Sequence, residues 1–131
     1  MSQREAAIQI RLAKARQLLQ QIPVLYEHQF YGTIISRLYY ACFNATKALL
    51  LTKDIITKTH RGVAGQLHEH FVKAGTFDPG RAAFLNRLMQ KREQEDYGED
   101  DIFDPQTISE LIRMAFAYVA YIETLVPAPE A

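Results

Sequence analysis

Apolar and small residues recur at helical spacing along nearly the whole chain, and they are densest between Tyr31 and Leu51. Ile35, Tyr39, Cys42, Phe43, Thr46, Leu49 and Leu50 form one stripe there. A second stripe, Ile34, Leu38, Ala41, Ala45 and Ala48, runs from aliphatic residues into alanines. A helix that is apolar most of the way round is buried. The run YGTIISRLYYACFNATKALLL is therefore predicted to be a central helix, approached from two directions across its large and its small faces.

The other periodic segments read as its neighbours. Ser2 and Glu5 form a capping box ahead of a first helix carrying Ala7, Ile8, Leu12, Ala15, Leu18 and Leu19. Pro23 is expected to break or end that helix, leaving Val24 to Phe30 as a short connection or lead-in. The central helix should stop near Lys53, with a loop from Asp54 to Thr59 whose Thr57 or Thr59 caps the next helix. That helix spans His60 to Ala74, with Val63, Leu67, His70, Phe71 and Ala74 on one side and Gly75 closing it. Asp78-Pro79 and Asp104-Pro105 pair a capping carboxylate with proline at the first helical position, and so open two more helices. Phe84, Leu85, Leu88 and Met89 are the buried face of one. Ile108, Leu111, Ile112, Ala115, Tyr118 or Val119, Ile122 and Leu125 belong to the other.

No strand alternation and no internal repeat interrupts this pattern. The fold class is all-α, a bundle of about five helices in one domain over residues 1–126, with a disordered tail at 127–131. A chain of 131 residues, 48% of them hydrophobic, can bury a core of its own. Fifteen basic and fifteen acidic residues cancel, which removes a global field for nucleic acid or membrane but leaves room for a local basic groove. The single cysteine, Cys42, reads as a small buried hydrophobe. His68 and His70 are two apart and diverge on a helix, so no metal site is expected. The acidic run from Glu93 to Asp104 reads as a solvated loop around Gly98. With no signal peptide and no apolar run approaching roughly 18 residues, the chain is expected to be soluble and cytoplasmic, away from any membrane.

Two positions carry more than packing. Arg92 continues the stripe of Leu85 and Leu88 by one further turn, which points a guanidinium toward the core. Asp96 is one turn on and is the carboxylate placed to hold it. If the arginine instead lines a cleft, it is positioned for a phosphate or another chain. Arg37 stands one turn before Tyr40 inside the central helix. Tyr39 and Tyr40 diverge, one toward the core and one toward an edge where its hydroxyl finds a partner.

Three motifs in order, FYGTIISRLYYACFNATKALL, then His60-Arg61-Gly62-Val63, then Arg92 through Asp96-Tyr97-Gly98, resemble the HEPN domain superfamily. The likeness is to its small standalone prokaryotic branch and covers roughly residues 5 to 126. It implies an up-down helical bundle that forms a homodimer, and frequent pairing with a minimal nucleotidyltransferase in toxin–antitoxin-type modules. Together with the residue readings above, it makes Arg92, Asp96, Tyr97, Arg37, Tyr40 and His60 the candidates for a ligand site or dimer cleft.

Many members of that superfamily are metal-independent ribonucleases whose signature is an arginine, a polar residue and a histidine several residues on. The arginine corresponds to Arg92, the next residue is Glu93, and no histidine lies downstream of His70. Tyr97 stands near the missing position. Acid–base cleavage of RNA needs a group titrating near neutrality, and tyrosine, at about 10, does not. By the same resemblance Tyr97 matches an acceptor that a partner nucleotidyltransferase modifies with AMP. The expectation is a binding or regulatory protein with no cofactor, a nucleotidyltransferase partner, and nucleotide or RNA as ligand. A divergent ribonuclease is the alternative.

Overall fold

Among the described residues six α-helices follow one another: α1 (Gln3–Gln20), α2 (Ile22–Glu27), α3 (Tyr31–Leu51), α4 (His60–Leu67), α5 (Pro79–Asp96) and α6 (Pro105–Leu125). A single π-helical turn, His68–Val72, extends α4. The computed structural model describes residues 1–96 and 104–129, while residues 97–103, 130–131 and the Asp96 side chain lie outside that description. Within it the chain is all-α, five packed helices with the six-residue α2 as a lead-in.

The helix starts follow from local chemistry. A first turn leaves backbone donors open, and here side chains fill them. Ser2 accepts from the Glu5 amide while Glu5 accepts from Ser2, at 3.0 Å each. Thr59 accepts from Gly62 at 2.9 Å, Asp78 from Arg81 at 2.9 Å and Asp104 from Thr107 at 2.8 Å.

Two expectations need correcting. Pro23 does end α1, but it stands in the first turn of α2, where its missing N–H is one of the open donors anyway. The segment read as a connection is thus partly helical. Beyond Leu67 the helix also widens into a π turn before Gly75, at φ +79°, reverses the chain, and the changed register leaves His70 and Ala74 exposed while Phe71 stays buried. Lys53 holds that turn to the end of α3, donating to the His70 carbonyl at 2.6 Å with its ammonium 4.2 Å above the Phe71 ring.

Helix α3 is the axis. Thirteen of its 21 residues are buried, so neighbours surround it on all but one side. Arg37 reaches Gln21 and Asn44 reaches Arg11, which puts that face against α1. The alanine row Ala41, Ala45 and Ala48 lies beside it, fully buried, and small side chains there let the helices approach closely. Cys42 and Thr46 face α6. Tyr39 and Phe43 face α4.

The contact with α6 contains a buried polar pair. Thr46 donates to the Cys42 carbonyl at 2.7 Å, so its only proton is spent. The Tyr118 hydroxyl, 2.6 Å away and wholly buried, must then donate to Thr46. That direction predicts an asymmetry. Thr46→Val strands a buried O–H donor and should cost about 1–3 kcal/mol, whereas Tyr118→Phe leaves only a spare lone pair and should cost about 1 kcal/mol or less. Urea denaturation of the two variants measures this, and equal losses would contradict the assigned direction.

Candidate functional site

The chain brings His60 back to α3 within a few residues. After Leu51 a turn reverses direction at Asp54, where φ is +57°, and Thr59 then caps α4 so that His60 is its first residue. Gly62 makes this possible. A Cβ there would collide with the Thr57 hydroxyl and lie 2.6 Å from that of Thr59. The glycine of the His-Arg-Gly-Val segment is therefore explained by the tightness of the turn that presents His60.

His60 lands among aromatic rings. Its centroid is 4.6 Å from Phe43, 5.3 Å from Tyr39 and 6.0 Å from Tyr40. The Tyr39 hydroxyl lies 2.5 Å from Nδ1. Tyr39 is 2% exposed, and burial pushes its hydroxyl well above the ordinary range, so it keeps its proton. A buried O–H needs an acceptor, and Nδ1 is the one described. His60 is then the tautomer with hydrogen on Nε2. Burial, then the positive charge of Arg92, lowers its pKa from the usual value, Lys47 adding to this and Glu93 opposing it.

Arg92 reaches the same place from α5. Its guanidinium carbon lies 5.0 Å from the centroid of Tyr40 and 5.7 Å from that of Tyr39, within range of an attraction between cation and ring. Thr59, His60, Arg61, Met89, Arg92 and Glu93 line an open cleft of about 380 Å³ between α4 and α5. Three cationic or polar nitrogen groups and one carboxylate thus share one hollow, with the Tyr40 ring behind the Arg92 guanidinium.

Of the residues singled out by sequence, His60, Tyr40 and Arg92 converge here. Arg37 does not line the cleft: its Nε donates to Gln21 at 2.6 Å, at the end of α1. The Asp96 side chain and Tyr97 lie outside the described residues. Tyr39 was read with Tyr40 as one core and one edge residue. In the structure the core tyrosine is the one whose hydroxyl has a partner. Phe43 and Glu93 were missed as cleft neighbours. Their signal was spacing: Phe43 is one turn from Tyr39 on α3, and Glu93 follows Arg92.

The family model for the HEPN domain matches residues 8–124. The chain belongs to the HEPN domain family. A UPF0332 protein of Thermotoga maritima is 31% identical over 126 residues, 96% of each chain. Two Methanocaldococcus jannaschii proteins provisionally named toxins are also similar. One is 36% identical over 86 residues, 66% of this chain and 58% of its own length, and the other 32% over 93 residues, 71% and 69%. No described helix is long and apolar enough to cross a membrane.

This HEPN cleft offers a flat donor set to an anion, with Arg92 as a fixed charge and His60 as a neutral N–H donor. Because the lowered pKa favours neutral His60 in the fold, the folded chain binds that proton less readily than the unfolded one. The stability this contributes is full above the ordinary histidine value of about 6.5 and is lost as pH falls toward the lowered folded value. Urea denaturation at pH 7.5 and pH 5.5 should show the loss, and His60→Gln, which keeps an acceptor for Tyr39, should reduce it. An identical pH dependence in wild type and variant would refute the assignment.

Proposed function

We propose that this HEPN protein is a binding and regulatory component of a toxin–antitoxin-type module, working with a minimal nucleotidyltransferase and holding a nucleotide in the cleft between α4 and α5. The observation that carries the reading is Arg92 over the Tyr39–Tyr40 rings beside His60. A nucleotide presents a phosphate, which the guanidinium meets with charge-assisted bonds, and a flat base, which aromatic faces and guanidinium planes receive. The toxin names of two relatives support the module, and the resemblance to standalone HEPN members supports the partner.

Arg92 is half-buried, and its guanidinium carbon lies 5.0 Å from the Tyr40 ring centroid, a contact worth about 0.5–1 kcal/mol where water still reaches it. Arg92→Ala should therefore lower stability by about 1 kcal/mol or less. It should also abolish AMP binding measured by titration calorimetry. A loss of several kcal/mol with AMP binding retained would make the arginine a core element instead.

One observation favours the second reading, a ribonuclease: the imidazole missing downstream of Arg92 is supplied from upstream, by His60. The proton arrangement favours binding over cleavage. A general base needs a free lone pair, but Nδ1 accepts from Tyr39 and Nε2 carries hydrogen. Purified protein is expected to leave RNA intact, and cleavage that disappears in both Arg92→Ala and His60→Gln would establish the enzyme.

The homodimer belongs to the same proposal, with the contact spread over helices that include part of the Arg92 region. Light scattering at micromolar concentration should give the mass of two chains, and the mass of one would count against it.

A further inference from the structure

Between Tyr40 and Leu51, the α3 residues that are not buried are Tyr40, Lys47 and Leu51. They fall on one line along the helix, the one side its neighbours leave uncovered. Arg11 of α1 borders this line, its guanidinium donating to the Asn44 side chain at 3.0 Å. Asn44 is 7% exposed and is itself fixed, donating to the Tyr40 carbonyl at 2.8 Å. The Lys47 ammonium lies 5.4 Å from the centroid of Phe43, the ring that also packs on His60.

Arg11 and Lys47 are like charges, and neither has a carboxylate partner among the described residues. Burial, and after it the repulsion from Arg11, lowers the basicity of Lys47. Unopposed neighbouring cations raise the energy of the empty site, and an anion between them removes that penalty. Both line a hollow of about 190 Å³ whose wall includes Leu51, Ile55 and Ile56, with Ile56 78% exposed.

We propose that Arg11 and Lys47 form a second anion subsite, and that the strip from Tyr40 to Lys47 holds two phosphates of one nucleic-acid strand. Seven residues of helix separate Tyr40, under Arg92, from Lys47, a rise of about 10 Å. Phosphates in a nucleoside polyphosphate share a bridging oxygen and are too close together for that span. Those of a nucleic-acid strand are set apart by at least a whole sugar, and the long Arg92, Arg11 and Lys47 side chains take up the rest of the span. The apolar wall then receives a base or sugar beside the second phosphate. This rests on the cleft reading above, and makes the ligand an oligonucleotide rather than a mononucleotide.

The test uses the full chain with two probes, AMP and a fluorescent, 5′-phosphorylated 2′-O-methyl hexa-adenylate, which cannot be cleaved through its 2′ position. Lys47→Met keeps the aliphatic stem over Phe43, and Arg11→Gln keeps a donor for Asn44, so thermal midpoints should stay close to wild type. Each should weaken the hexanucleotide about tenfold and reduce its salt slope by about 0.7, leaving AMP affinity unchanged. Arg92→Gln should weaken both probes. Wild-type hexanucleotide affinity in Lys47→Met and Arg11→Gln, with loss in Arg92→Gln, overturns the subsite and leaves the cleft standing. Failure of wild type to bind either probe overturns both. A hexaglutamate peptide bound as tightly as the hexanucleotide, and weakened by Lys47→Met, overturns the nucleic-acid assignment in favour of an acidic peptide.

Discussion

Tyr39 has to bury its ring in the core and still place its hydroxyl proton, and His60 Nδ1 is where that proton goes. A buried O–H without an acceptor costs about 1–3 kcal/mol, a large share of the roughly 5–15 kcal/mol that holds a domain together. This one bond therefore constrains much else. It fixes where α4 must begin, how tight the turn before it must be, and why Gly62 has no side chain. It also sets the imidazole beside the Arg92 guanidinium. Core and cleft share a residue, so the site is as rigid as the packing beneath it.

Helix starts were legible in the sequence because their causes are local. Ser2 with Glu5, Asp78 with Pro79 and Asp104 with Pro105 each act within one turn, and the structure has all three. The burial of α3 was legible too, since its apolar residues occupy every direction but one. Pro23 was harder to read, because proline ends one helix and opens the next by the same missing N–H. The approach of His60 to Tyr39 spans 21 residues and depends on the reversal at Asp54, where a non-glycine residue takes a left-handed conformation. Nothing in the spacing of the two residues announces that reversal. The pairing of Arg11 with Asn44 depends on the register of α1 against α3, which alternating stripes leave open.

The electrostatics follow the same division between local and global. Formal charge is zero, so the whole molecule exerts no net pull on a polyanion. Folding nonetheless sorts the charges. Helix α3 contains no aspartate or glutamate, and its uncovered side carries Lys47 between Arg11 and the His60–Arg92 cleft. Glu93 is the carboxylate at the cleft rim. A neutral protein can in this way present one cationic strip, with attraction confined to ligands that lie along it. Screening over about 8 Å at physiological salt sharpens that confinement, because charges elsewhere on the surface are felt weakly.

Binding and cleavage in this cleft differ by the position of one hydrogen. With Nδ1 accepting from Tyr39, His60 has only Nε2–H to offer the cleft, and that group can only donate a hydrogen bond. To serve as an acid it would need a second proton at Nδ1, the position toward which the tyrosine proton points. Tyr39 would have to turn that proton elsewhere, and no second acceptor for it is described in the core. A stranded buried hydroxyl at about 1–3 kcal/mol corresponds to a population penalty of roughly one to two decades. A bound phosphate pulls the other way, since its negative charge favours the imidazolium. The balance between these two effects, rather than the mere presence of arginine and histidine, decides whether such a cleft holds its ligand or reacts with it.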